Sequence, residues 1–321
     1  MNYDPLRPYD GETYHGMPAV KASHWDWTVS SYIFLAGLGG GAQALATIAH
    51  ASDPARFGPM RRNARFLGTL GSSLGALLLI KDLKTPRRFH HMFRIFRPTS
   101  PMSFGTYILS KFGALSAFAS LGELLPRIRP LRPLTEAAQM GAAVTGTGAA
   151  TYTASLLSAT SNPHWAATPR ALGVKFAASS MALAAAALAM GERIAGRDRN
   201  ARPLEAVAML STLVQFIAGL RAKKGRDDKG VGPAMKDSAQ EKMLTTADTV
   251  LAGAVPLGLY MLSRGAGGHA RGLALAASAT VLVGGFLVRH ATLYAGHEAA
   301  RRPRAHLSLA RPENLGGDDR G

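Results

Sequence analysis

Apolar residues along this 321-residue chain fall into long uninterrupted windows, and charged residues crowd between them. Eight windows reach the length of about 20 residues needed to cross a hydrocarbon core of about 30 Å. They cover 26–50, 63–83, 102–124, 136–159, 170–190, 204–221, 246–264 and 270–295. The pattern predicts an all-α polytopic membrane protein with eight transmembrane helices. An extended N-terminal segment over 1–25 precedes a membrane domain over 26–296, and a polar tail over 297–321 follows. Both halves hold four spans, no internal repeat is evident, and an even number of spans puts both ends of the chain on one side.

The first span carries the most information. It opens on His24-Trp25-Asp26-Trp27 and runs into YIFLAGLGGG. Indole suits a membrane interface because it is apolar with one polar N–H. Clustered glycines near the middle of a span let helix backbones approach closely. The fourth span, GAAVTGTGAATYTAS, is also rich in small residues and predicts tight packing against its neighbours. Between spans two and three lies a basic, aromatic loop, KDLKTPRRFHHMFRIFRPTSPMSFG, in which Ser100 before Pro101 caps the third helix. Residues 222–245 form the longest internal loop, charged in both signs and expected to be mobile. Pro256 is expected to kink or adjust the seventh span. The first apolar run begins only near residue 28, with no compact basic region before it, so it reads as a retained helix and not as a signal peptide.

Composition narrows the chemistry. The net charge is +17. In a soluble protein that would suggest nucleic acid, but here the basic residues sit in short loops, where lipid headgroups and topology explain them. Their raw count favours chain ends inside the cell and their density favours ends outside; density is the reading taken. The chain has no cysteine, which excludes disulfides and cysteine-ligated iron–sulfur clusters. A b-type haem needs two histidines facing each other inside the bundle. Only His290 lies well inside a span, so no haem is expected. Neither a metal-site spacing nor a nucleotide-binding glycine loop occurs.

The order of WDW, YIFLAGLGGG, the KDLKTPRRFHHMFRIFRPTSPMSFG loop, YTASLLSATSNPHW and a last helix ending in AGH resembles the membrane subunits of polysulfide and nitrite reductases, the NrfD/PsrC type. The resemblance is close over residues 14–175 and looser beyond. It implies two four-helix groups in a bacterial or archaeal inner membrane. It also implies a subunit that carries no redox cofactor and exchanges electrons between menaquinone or ubiquinone and a docked ferredoxin-like iron–sulfur subunit. That subunit would connect to a catalytic subunit, often a molybdopterin enzyme. The family's quinone-facing tyrosine late in helix four corresponds to Tyr152. Its polar position on helix one, a histidine in some members, corresponds to Tyr32, and an asparagine three residues earlier in some members is Val29 here.

A quinone headgroup needs a hydrogen-bond partner at each carbonyl oxygen and a route for two protons. Helix one starts and helix four ends on the same membrane side, and helical rise sets Tyr32 and Tyr152 at matching depths of roughly 7–11 Å. The expected headgroup site is therefore Tyr152, Tyr32, His24, Asp26 and Trp27. Each has a plainer role: Trp25 and Trp27 as an interfacial belt, the tyrosines as packing residues, Asp26 as a helix cap. Proton-transfer candidates are Asp82, Lys111 and Glu123, with a loop-fixing salt bridge as the plainer role of Asp82. Lys175 is expected to snorkel. The docking surface for the iron–sulfur subunit is expected at Arg87, Arg88, His90, His91, Arg94 and His164. A secondary transporter or a purely structural anchor is the alternative; a transporter would show broken helices around a polar midplane site.

Overall fold

In the computed structural model, the described residues are 18–315 apart from Lys84, Pro98, Pro126 and Arg129. The first part of the expected N-terminal segment, residues 1–17, and the end of the polar tail lie outside them. The chain is an all-α polytopic membrane protein.

Helix α1 (Trp27–Ser52) starts where Asp26 accepts a hydrogen bond from the Thr28 amide at 2.7 Å. It is followed by α2 (Gly58–Asp82), a 3-10 helix (Pro86–Phe93), α3 (Pro101–Leu124), α4 (Leu131–Ser158) and a single turn, α5 (Pro163–Ala166). Ser100 caps α3 through the Ser103 amide, with Pro101 at the first helical position. The second half comprises α6 (Pro169–Ile194), α7 (Asp198–Asp228), α8 (Val231–Met235) and α9 (Ala239–Thr246). A π-helical stretch (Ala247–Ala254) leads into α10 (Val255–Gly265), and α11 (Ala270–Arg301) with two short helices, α12 (Pro303–Leu309) and α13 (Pro312–Leu315), complete it.

Helices α1 to α4 pack as one group, and α6, α7, the α9–α10 unit and α11 as a second; α1 bridges them by packing on α6 and α11. The glycine cluster explains the central place of α1. A Cβ at Gly40 would collide with the backbone carbonyl of Gly146 on α4, and one at Gly37 would meet Ser180 and Arg289 of the second group. These close backbone approaches replace the apolar interdigitation of a soluble core, which lipid gives no reason to favour.

Among the described residues, six long helical units are apolar enough to cross a membrane: α1, α2, α6, α7, the α9–α10 unit and α11. The other two long helices, α3 and α4, hold the remaining expected spans but are less apolar. Helix α4 carries Arg132 and Glu136 in its first turns and many Thr and Gly residues, and α3 carries Lys111 and Glu123.

Two assignments differ from the sequence pattern. Residues 222–245 are helical, not a loop: α7 runs on to Asp228, and α8 and α9 follow after Gly230, whose φ of 73° closes the turn. The two buried charges of this stretch pair with each other, Arg226 on Glu241 at 3.0 Å, and Val231 packs with Ala167 and Ala305. The expected start of the polar tail at 297 falls inside α11, because Ala299 and Ala300 are buried there. At Pro256 the span is adjusted, as expected, without a break. The wide π turns just before it accommodate a residue that has no N–H and whose ring would crowd the preceding carbonyl.

Candidate functional site

The N-terminal end of α1, the C-terminal ends of α2 and α4, the N-terminal end of α3 and the 3-10 helix enclose a cavity of about 610 Å³. It is mainly apolar, with Ile33, Leu79, Met92, Leu109 and Leu157 among its walls. His24, Tyr32, Asp82, Thr106, Ser110 and Tyr152 bring polar atoms into it. A concave apolar space with few converging polar groups is the usual form of a small-molecule site.

Each polar group is placed by local structure. His24 belongs to an extended segment strapped to the end of α11: the Val20 amide donates to the Ala300 carbonyl at 3.1 Å, and Ser23 hydrogen-bonds His297 at 2.8 Å. Trp25 then stacks on buried Trp165, with ring centroids 5.8 Å apart. Trp165 is itself held because its indole donates to the Thr292 carbonyl at 2.9 Å. Tyr32 lies buried on the inner face of α1, one side of its ring against Gly75 of α2. Tyr152 is seated because Gly105 has no side chain: a Cβ there would fall inside the tyrosine ring. Its hydroxyl donates to the Pro101 carbonyl at 2.6 Å, in the first turn of α3.

Asp82 terminates α2 and is half-buried. Its Oδ1 lies 3.3 Å from the Thr28 hydroxyl, whose single proton goes to Asp26 at 2.5 Å. Asp82 is thus left with acceptor capacity facing the cavity, while Asp26 is occupied as the cap of α1.

The expected headgroup residues therefore divide. Tyr152, Tyr32 and His24 line one cavity. Asp26 lies behind it as a cap, and Trp27 points outward, 51% exposed, under the Lys81 ammonium at 5.5 Å. Among the proton-transfer candidates only Asp82 lines the cavity. Lys111 is exposed on the outer face of α3, and Glu123 lies at the far end of that helix, paired with Arg65 at 2.8 Å. Arg87, Arg88, His90, His91 and Arg94 are all solvent-exposed along and just after the 3-10 helix, whose Phe89, Met92 and Phe93 line the cavity. The remaining docking candidate, His164, does not face the surface. It is buried, with Nε2 on Glu241 at 3.0 Å, because Asn162 caps the short α5 and turns its ring inward.

The second helix group holds a buried polar ladder that spacing alone did not reveal. Arg226, Glu241 and His164 meet near the membrane surface. Deeper, Lys175 does not snorkel: it is 1% exposed and pairs with Asp248 at 2.5 Å, on the π-helical stretch. Deeper still, the Arg289 guanidinium donates to Ser179 at 2.8 Å and Ser180 at 3.0 Å and lies over the Phe176 ring. The available signal was a charge inside an apolar window, at Asp248 and Arg289. Burial and the neighbouring Arg226 lower the basicity of His164. Its Nδ1 is buried without a partner, which suits the neutral ring with the proton on Nε2.

A family model described as polysulphide reductase, NrfD, matches residues 15–299. No curated protein matches the chain.

Proposed function

Given that this chain belongs to the NrfD polysulphide reductase family, whose members are membrane subunits of multi-subunit reductase complexes, we propose that it is the quinone-reactive subunit of such a complex. It exchanges electrons between menaquinone or ubiquinone and a docked ferredoxin-like iron–sulfur subunit, which connects to a catalytic subunit, in a bacterial or archaeal inner membrane. The observation that carries this reading is the cavity shared by Tyr32, Tyr152, His24 and Asp82. Its volume and apolar walls suit a quinone ring with the first part of its isoprenoid tail, and it lies near the ends of membrane helices, within reach of a partner outside the bilayer.

The residues have separable roles in this reading. The Tyr152 hydroxyl turns from the Pro101 carbonyl to donate to one quinone oxygen. Tyr32 or His24 serves the other. When a quinol is oxidised, two electrons pass to the partner's cluster and two protons leave the oxygens. Asp82, with free acceptor capacity, takes a proton toward the surface, and His24 lies beside it. Reduction of a quinone runs the same steps backward. The 3-10 helix shields the ring with Phe89, Met92 and Phe93, and its exposed Arg87, Arg88, His90 and His91, with Arg94 just after it, face the partner.

Purification from native membranes tests the proposal. The expected result is a complex containing an iron–sulfur protein whose clusters are reduced by quinol or oxidised by quinone. A chain that emerges without a cluster-bearing partner, or a complex whose clusters do not respond to quinone, overturns it.

A further inference from the structure

On the membrane face opposite the cavity described above, the second helix group encloses a polar space of about 460 Å³. Its walls come from the C-terminal ends of α6 and α10 and the N-terminal ends of α7 and α11. Three guanidinium groups line it: Arg193, Arg202 and Arg264. Arg193 is buried and already committed, bidentate on Glu205 at 2.7 and 2.9 Å and on Asp198 at 3.1 Å. Its fixed position holds α6 against α7 and shapes the floor. Arg202 and Arg264 are exposed, and among the described residues neither has an ion-pair partner. The Ser263 hydroxyl also lines the space.

The setting separates this cluster from an ordinary solvated basic patch. Arg264 stands one residue from the end of α10, at the depth of lipid headgroups. One turn deeper on the same face, Met261 is 67% exposed, and Ile194 beside Arg193 is 66% exposed. Two unpaired guanidinium groups thus stand at this level, with exposed apolar surface at Met261 a turn below Arg264. Basic pockets between membrane helices at this level recognise phosphate headgroups, and guanidinium matches phosphate oxygens bidentately. We infer that this cavity binds the phosphate of an anionic membrane phospholipid, with Arg202 and Arg264 as its ligands and Met261 along its acyl chains.

The test uses the full chain purified in uncharged detergent, with adducts read by native mass spectrometry on titration with phosphatidylglycerol, phosphatidylcholine or inorganic phosphate. Phosphatidylglycerol is expected to be retained at about tenfold lower concentration than phosphatidylcholine, because both offer a phosphodiester but the choline ammonium is repelled by the two guanidinium groups. The variant carrying Arg202→Gln and Arg264→Gln should lose most of that preference. Arg264→Lys should keep part of it, and Lys242→Gln, exposed on the other face, should keep all of it. Competition by millimolar inorganic phosphate would assign recognition to the headgroup alone; no competition would assign a share to the chains. Circular dichroism confirms that the helices of each variant are intact, and Arg264→Lys supplies the reading if the double variant fails to fold. Equal retention of the two lipids, or a folded double variant that retains phosphatidylglycerol like wild type, overturns the inference.

Discussion

Tyr152 is the residue on which the proposed chemistry leans most. Replacing it by Phe keeps the ring that fills the notch at Gly105 and removes only the hydroxyl that now rests on the Pro101 carbonyl. Because a quinone oxygen would take that hydroxyl in exchange for one acceptor already present, its loss should remove roughly 0.5–1.5 kcal/mol, about two- to tenfold in quinone affinity or turnover. Steady-state electron transfer by the assembled complex measures this, and an unchanged rate and KM in Tyr152→Phe would reduce the residue to a packing role. Asp26→Asn should matter less for turnover than Tyr152→Phe, since Asp26 lies behind the cavity as the cap of α1. Depth along a helix was enough to bring Tyr32 and Tyr152 together on paper. It could not separate His24 from Asp26, because their neighbours in the chain do not decide which of them faces inward. That depends on the strap from Val20 to Ala300 and on the stacking of Trp25 on Trp165, contacts made across the whole length of the sequence.

At the scale of the helix, small residues set the distances. Gly40→Ala must push α1 away from the Gly146 carbonyl, an overpacking that costs about 1–3 kcal/mol. A Cβ at Gly173 on α6 meets nothing within 4 Å, so Gly173→Ala should be neutral or stabilise by roughly 0.5–1 kcal/mol through the unfolded chain. Thermal unfolding in detergent should come earlier for Gly40→Ala and hold or come later for Gly173→Ala; an unchanged Gly40→Ala, or an equal loss in both, would mean that helix contact distance is not what the glycine cluster provides. The same scale explains which elements were legible. Apolar windows found each long helix, because lipid imposes length and polarity together, but they stopped short of the polar helix ends, at both ends of α7 for example. Residues 222–245 misled because mixed charge reads as solvated loop. Here only two of the charges are buried, and they pair: Arg226 with Glu241, which also meets His164 of α5.

That buried trio gives the element a pH dependence. An unfolded chain protonates His164 near its ordinary value of about 6.5. In the folded protein, burial and Arg226 hold its affinity for the proton lower. Between the two values the unfolded state binds a proton that the folded state refuses, so stability rises with pH across that window. The stabilising contribution is therefore complete above about pH 6.5 and declines as pH falls through the folded value. The difference between the unfolding curves of wild type and His164→Gln, followed from pH 8 to about 4.5, isolates the effect from the other histidines. A difference that does not change with pH would show that His164 protonates equally in both states.

At the scale of the whole molecule, the proposed function has two faces of one short element tie membrane chemistry to assembly. The 3-10 helix after α2 presents Phe89, Met92 and Phe93 to the cavity, and the arginines Arg87, Arg88 and Arg94 stand exposed around them. An acidic partner docked there would bring its nearest cluster as close to the quinone as the thickness of this element allows. Its attachment would rest on charges in water, which salt screens over about 10 Å at 0.1 M. Retention of the iron–sulfur subunit should therefore fall steeply with ionic strength, and Arg87→Glu with Arg88→Glu and Arg94→Glu should release it at salt concentrations the wild type tolerates. Because these side chains are exposed and the cavity walls are formed by their apolar neighbours, the variant chain should still bind quinone when purified alone, as measured by quenching of its tryptophan fluorescence through Trp25 on the cavity wall. Loss of quinone binding together with the partner would instead mean that the partner completes the cavity. Partner retention indifferent to both salt and charge reversal would move the docking surface away from this helix.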